Sequence, residues 1–182
     1  MEDINQTGKF LAYILRHNPS AVEIELDEHG FANVQQLLDG VNRTGRRLDM
    51  QTLEEIVAKD SKGRYSFNSD KSKIRANQGH SVQVDLQLEE KNPPDTLYHG
   101  TAERFLESIK QSGIQKRSRN FVHLSKDEQT ATAVGIRHGK PVILVINAKQ
   151  MAQDGFKFYI SENGVWLTDS VPFKYVTQII SQ

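Results

Sequence analysis

Two kinds of feature in this sequence have residue types and spacing that could do chemistry. Leu97-Tyr98-His99-Gly100-Thr101 reads as a strand that ends in His-Gly-Thr ahead of a helix. In an extended backbone His99 and Thr101 project to the same side, and the glycine between them lets a ligand come close to the main chain. An imidazole, a hydroxyl and backbone polar groups in that arrangement suit a ribose or an amide. Phe121-Val122-His123-Leu124-Ser125 is built alike: His123 and Ser125 share a strand face, and Ser125 fits the N-cap of a following helix, in a capping box with Glu128. Taken singly, each segment is equally a turn with a satisfied core histidine and an ordinary cap. The second feature is a set of cations at element ends, namely Arg16-His17, Arg43, Arg46-Arg47, Lys62 and Arg64. Arg16 and His17 fall in the last turn of a helix, where positive charge also suits the helix dipole. Arg46 and Arg47 read as a solvated basic face or as a patch steering a phosphate-bearing ligand.

Other chemistries are excluded by what is missing. Gly135-Ile136-Arg137-His138-Gly139-Lys140-Pro141 has one residue too few between its glycines for a phosphate loop, and proline stands where Ser or Thr would hold magnesium. No Gly-x-Gly-x-x-Gly occurs. The six histidines form no His-x3-His pair, so no metal is expected. With no cysteine there is no thiolate nucleophile, disulfide framework or Cys-ligated zinc.

Two groups of elements must position these residues. Phe10, Leu11, Ile14 and Leu15 mark one stripe of a helix over Thr7–His17, stopped at Asn18-Pro19. Val22, Ile24 and Leu26 alternate as a short strand, and Asn33 and Asp49 cap two further helices. A hairpin follows, with Arg64–Phe67 and Lys73–Ala76 as its arms. Three short helices and a hairpin predict a winged-helix-like module. Val82, Val84, Leu86 and Leu88 then alternate as a half-buried strand. Glu89-Glu90-Lys91-Asn92-Pro93-Pro94-Asp95 reads as a linker, which places a boundary between a domain over 1–91 and one over 92–182. The second part reads as strand Thr96–His99, helix Ala102–Ser112 stopped by Gly113, and strand Phe121–Leu124. After the helix opened at Ser125 come strands Val142–Ile146, Phe156–Ile160, Val165–Leu167 and Phe173–Val176. The fold class is α+β.

The composition agrees with that layout. At roughly 150 residues per domain, 182 residues allow one domain or two small ones. Lys and Arg number 23 and Asp and Glu 23, so no global basic field marks a nucleic-acid binder, and a phosphate site must be built locally. The start, Met1-Glu2-Asp3-Ile4-Asn5-Gln6, is not a signal peptide, and the longest apolar run is too short to cross a bilayer. A cytoplasmic protein, acting as a monomer and without a membrane, is expected.

Six segments occur in one order: Leu15-Arg16-His17, Lys62-Gly63-Arg64, Gln78-Gly79-His80-Ser81, Leu97-Tyr98-His99-Gly100-Thr101, Phe121-Val122-His123-Leu124-Ser125 and Glu162-Asn163-Gly164-Val165-Trp166-Leu167-Thr168. Together they closely resemble the KptA-type RNA 2′-phosphotransferases, over roughly residues 7 to 176. The resemblance implies an N-terminal winged-helix-like lobe that binds RNA phosphate and a C-terminal lobe of the ADP-ribosyltransferase fold. It also implies NAD⁺ as a consumed co-substrate, with an RNA carrying an internal 2′-phosphate, of the tRNA splice-junction type, as partner. In the implied reaction the 2′-phosphate displaces nicotinamide at C1″ to give RNA-2′-phospho-ADP-ribose. The ribose O2″ then attacks phosphorus and releases RNA 2′-OH and ADP-ribose 1″,2″-cyclic phosphate. Carried over residue by residue, Arg16, His17, Arg64 and Arg119 form the catalytic phosphate set, with Lys62 as a secondary contact. Tyr98, His99, Gly100, Thr101, His123, Ser125 and Val165 correspond to NAD⁺-binding positions, in a site expected between the lobes. A phosphomonoester is largely dianionic at neutral pH and needs no general base, which accounts for Val165 where protein-modifying relatives of that fold carry Glu. Two rival readings share these residues: an ADP-ribosyltransferase acting on protein or on nucleic-acid phosphate ends, and a winged-helix nucleic-acid-binding regulator without catalysis.

Overall fold

The computed structural model describes residues 3–182, which divide into an N-terminal unit up to Gln87 and a C-terminal unit from Leu88. The N-terminal unit starts with α1 (Ile4–His17), whose Leu11, Ile14 and Leu15 have no exposed surface. The Asp3 carboxylate caps its first turn, and Pro19 stops it by denying Asn18 the helical conformation. After β1 (Ala32–Asn33) come α2 (Val34–Arg43), capped by Asn33, and α3 (Met50–Lys59), capped by Asp49. Strands β2 (Tyr65–Phe67) and β3 (Lys73–Ala76) form the hairpin, and β1 joins it in the antiparallel order β1-β3-β2. Leu37, Leu53 and Ile74 close the core against α1.

The C-terminal unit holds β4 (Glu89–Glu90), β5 (Thr96–Ala102), α4 (Leu106–Ser112), β6 (Ile114–Gln115), β7 (Val122–Leu124) and α5 (Glu128–Gly135). It continues through β8 (Pro141–Asn147), α6 (Ala148–Gln153), β9 (Phe158–Ile160), β10 (Trp166–Thr168), β11 (Ser170–Val171) and β12 (Val176–Ser181). Its two larger sheets run β12-β8-β5 and β4-β9-β10-β7, with every pairing antiparallel. The unbroken apolar run of β8 fits its central place: Val142, Ile143, Leu144 and Ile146 are fully buried, each worth about 1.5–3 kcal/mol of transfer free energy. The result is a mixed helix-and-sheet protein. No helix among the described residues is long and apolar enough to cross a membrane.

Several local expectations are overturned. Val22, Ile24 and Leu26 form no strand. Pro19 opens a 3₁₀ turn through Val22, Glu23 at φ 57° breaks the alternation, and only Leu26 bridges to Ala32. Val82–Leu88 is no strand either, although its alternation is real. Leu86 is buried, but the segment bonds to a helix end and a turn, Val82 N–H to Arg16 C=O (3.3 Å) and Asp85 N–H to Glu28 C=O (2.8 Å), so no ladder forms. Glu89 and Glu90, expected in a linker, pair with Ile160 and Tyr159. Ser125 does not cap α5. That cap is Asp127, whose carboxylate accepts from Thr130 N–H at 2.7 Å. Ala102 ends β5, and α4 begins only at Leu106 after a 3₁₀ turn. Pro172 likewise starts a 3₁₀ turn at Phe173–Tyr175, delaying the last strand to Val176.

Candidate active site

In the N-terminal unit the cations converge through one segment, Asn77 to Ser81. Asn77 N–H donates to Arg64 C=O (2.8 Å) and its side chain donates to Gly63 C=O (2.8 Å). At the other end Ser81 N–H donates to Arg16 C=O (2.9 Å), and the Ser81 hydroxyl meets His17 Nδ1 at 2.8 Å. The end of α1 is thus tied to the start of the hairpin. Arg16 and Arg64 both act electrostatically on the Tyr65 phenol, whose burial pushes its pKa up to about 12. Arg16 and His17 both act on His80. Arg16, His17 and Arg64 therefore share one corner of the unit. The Arg64 guanidinium is held by the carboxylate of Asp60, which is only 7% exposed, so its remaining donors have a fixed direction. Lys62 lies exposed in the turn before Arg64, closed by a bond from Gly63 N–H to Asp60 C=O (2.9 Å).

His80 sits inside this corner, 1% exposed, and neither ring nitrogen has a hydrogen-bond partner. Burial first, then Arg16, His17 and Arg75, push its pKa down to about 4, so the ring is neutral at physiological pH. The roles of Ser81 and His80 were missed from sequence. Gln78-Gly79-His80-Ser81 marks the segment, but nothing local says which side chain meets His17.

The C-terminal unit collects the other candidates where its two larger sheets meet. Tyr98 on β5 and Ser125 after β7 exchange both backbone hydrogen bonds, at 2.9 and 2.7 Å. His99 Nδ1 lies 3.0 Å from His123 C=O. A carbonyl can only accept, so Nδ1 carries the proton and Nε2 is left as an acceptor. Burial pulls the His99 pKa below the ordinary imidazole value, keeping that neutral form. β10 pairs with β7, Leu167 opposite His123, so Val165, the last residue of the β9–β10 loop, stands one residue beyond the Trp166–Leu124 pair. Ser161 holds that loop through its hydroxyl, which accepts from Val165 N–H at 3.1 Å. Tyr98, His99, His123, Ser125 and Val165 thus come together, and Thr101 is buried farther along β5. Gly100 departs from its expected reason. A Cβ there would meet Ala131 C=O at 1.8 Å, so its missing side chain admits the backbone of α5. Arg119 is exposed, in the turn closed by its own N–H to Lys116 C=O (3.0 Å). It belongs to the C-terminal unit. Among the described residues no group of three or more His, Asp or Glu could hold a metal ion.

Comparison with known proteins gives these arrangements a context. The model of the family described as RNA 2′-phosphotransferase, Tpt1/KptA family, matches residues 2–170. A probable RNA 2′-phosphotransferase of Flavobacterium johnsoniae is 51% identical over 169 residues, 93% of each chain. One of Rhodopirellula baltica is 52% identical over 172 residues, 94% of each chain. One of Escherichia coli is 47% identical over 176 residues, 96% of each chain.

Proposed function

The chain belongs to the Tpt1/KptA family of RNA 2′-phosphotransferases, and we propose that it transfers an internal RNA 2′-phosphate to NAD⁺. The N-terminal unit acts as the winged-helix-like, phosphate-binding lobe, and the C-terminal unit as the ADP-ribosyltransferase-like, NAD⁺-binding lobe. The observation that carries the reading is the corner of Arg16, His17 and Arg64 tied together by Asn77–Ser81.

The 2′-phosphate dianion is its own nucleophile, so the first step asks for orientation more than activation. Arg16 and Arg64 supply planar donors that match phosphate oxygens, and Asp60 fixes the direction of one of them. Arg119 and Lys62 add further phosphate contacts. As the 2′-phosphate bonds to C1″, the C1″–N bond breaks and nicotinamide leaves with its electron pair. The O2″ hydroxyl then gives up its proton as it attacks phosphorus and the bond to the RNA 2′-oxygen breaks; negative charge builds on the phosphoryl oxygens, and the same cations stabilise it. The RNA 2′-oxygen departs and takes a proton. His17 is suited to that transfer, because the Ser81 hydroxyl at Nδ1 orients its ring. On the other substrate, His99 Nε2 accepts from a ribose hydroxyl while Thr101, Tyr98, Gly100, His123, Ser125 and Val165 line the remainder.

The decisive experiment incubates the protein with NAD⁺ and a short RNA bearing one internal 2′-phosphate. Nicotinamide, RNA 2′-OH and ADP-ribose 1″,2″-cyclic phosphate in equal amounts are expected. RNA ending as a stable ADP-ribose adduct makes the protein an ADP-ribosyltransferase instead. An RNA unchanged by NAD⁺ overturns the proposed co-substrate.

A further inference from the structure

The outer face of α1 carries a feature that neither the phosphate corner nor the core explains. Tyr13 is 47% exposed, and among the described residues it is the one large apolar side chain of the N-terminal unit left so open to water. It is nevertheless fixed. Asn18 Nδ2 donates to the Tyr13 hydroxyl at 2.8 Å, and Asn18 is itself held by the Ser20 hydroxyl, which donates to its Oδ1 at 2.8 Å. The ring stands 6.5 Å from the His17 ring, centroid to centroid. Phe10, Tyr13 and His17 follow at helical spacing along one face, and the Arg46 guanidinium covers the Phe10 ring at 4.3 Å. The row therefore runs from a cation-capped ring, through an open ring held at its far end, to the imidazole of the phosphate corner.

We propose that Tyr13 is a stacking platform for one nucleobase at the 2′-phosphorylated junction, so that the RNA is bound single-stranded with that base unstacked from its neighbours. The inference rests on the phosphotransferase reading, because His17 is what brings the 2′-phosphate beside Tyr13. Charge selects this occupant. An aromatic face with Arg46 at one end and His17 at the other fits a polyanion that also offers π-faces, the combination single-stranded nucleic acid presents. A pre-ordered ring loses little freedom on binding, and stacking tolerates any base.

The test is the equilibrium binding, by fluorescence anisotropy, of a labelled trinucleotide with a central 2′-phosphate. It is compared with three versions, each made abasic at one position. Wild-type protein is expected to bind one abasic version about 5- to 150-fold more weakly than the intact RNA. Tyr13→Ala should lose that same factor on intact RNA and nothing further on that abasic version, and Tyr13→Trp should keep tight binding. Three outcomes overturn the proposal: Tyr13→Ala binding intact RNA as wild type does, Tyr13→Ala losing equally on all four RNAs, or Tyr13→Trp failing as alanine does. Turnover of the intact RNA with NAD⁺, read in parallel, separates the two ideas. Tyr13-dependent binding without conversion sinks the phosphotransferase reading and leaves the platform standing.

Discussion

Replacing His80 with glutamine should remove a pH-dependent weakness from the N-terminal unit. The imidazole is 1% exposed and faces Arg16, His17 and Arg75, and its pKa is pushed down to about 4 from 6.5. The unfolded chain therefore takes up this proton first as pH falls. Below about 6.5 the unfolded state binds more protons than the folded one, so stability declines, and the decline ends only once the pH is below about 4. With those two values the loss between pH 7 and pH 5 is about 2 kcal/mol, rising to about 3 kcal/mol at the acid limit. Glutamine does not titrate, so this part of the pH dependence should vanish in His80→Gln while the contributions of every other group persist in both proteins. The measurement is amide hydrogen exchange at Leu11, Ile14 and Leu15, which are fully buried on α1, at pH 5 and pH 7 in both proteins. An NMR titration of the His80 ring supplies the midpoint directly. A midpoint near 6.5, or an equal loss of stability in the variant between pH 7 and pH 5, would refute the reasoning.

Other perturbations probe the remaining contacts. Ser81→Ala should lower turnover about tenfold, the scale of one hydrogen bond to an ionisable group, and displace the alkaline limb of the pH–rate profile, where a general acid loses its proton. Ser81→Thr, which keeps a hydroxyl on His17 Nδ1, should recover most of the rate, and an unchanged profile in Ser81→Ala would show that the contact is idle. Asp127→Ala should cost about 1 kcal/mol of stability in chemical denaturation whereas Ser125→Ala costs almost none, and the reverse order would restore Ser125 as the cap of α5. Gly100→Ala should lower the thermal midpoint sharply, by about 3 kcal/mol of stability, since its Cβ falls 1.8 Å from Ala131 C=O, and a wild-type midpoint would mean that α5 yields freely.

What could be read in the chain ahead of its fold was whatever local patterns decide. The caps Asn33 and Asp49, the stop at Pro19 and the hairpin around Asn68–Asp70 all depend on a few consecutive residues. The buried run of β8 is continuous because, as the central strand of its sheet, it is buried on both faces, and that too is visible in sequence. Where long-range partners decide, local reading failed. Val82–Leu88 alternates like a strand, yet its partners are the end of α1 and the turn at Glu28, which local sequence does not announce. Asp127 prevailed over Ser125 as the cap because Ser125 is drawn into pairing with Tyr98, 27 residues earlier in the chain. Candidate residues were found as types and as family positions. The contacts that orient them, Ser81 on His17, Asp60 on Arg64 and His123 C=O on His99, required coordinates.

The packing of α5 on β5 carries a consequence for how this protein tolerates change. Main chain meets main chain there: Gly100 faces Ala131 C=O, and Gly135 faces Thr101 C=O at 2.8 Å from where its own Cβ would lie. The spacing between helix and strand is consequently set by atoms that every residue possesses, provided that the two glycines are kept. Gln129, Thr130 and Ala133, exposed on α5, are free to drift over generations without moving His99 or Thr101. Substitutions should therefore accumulate readily on the outer surface of this helix and almost never at the two glycines, dividing one short element into a part open to evolution and a part closed to it.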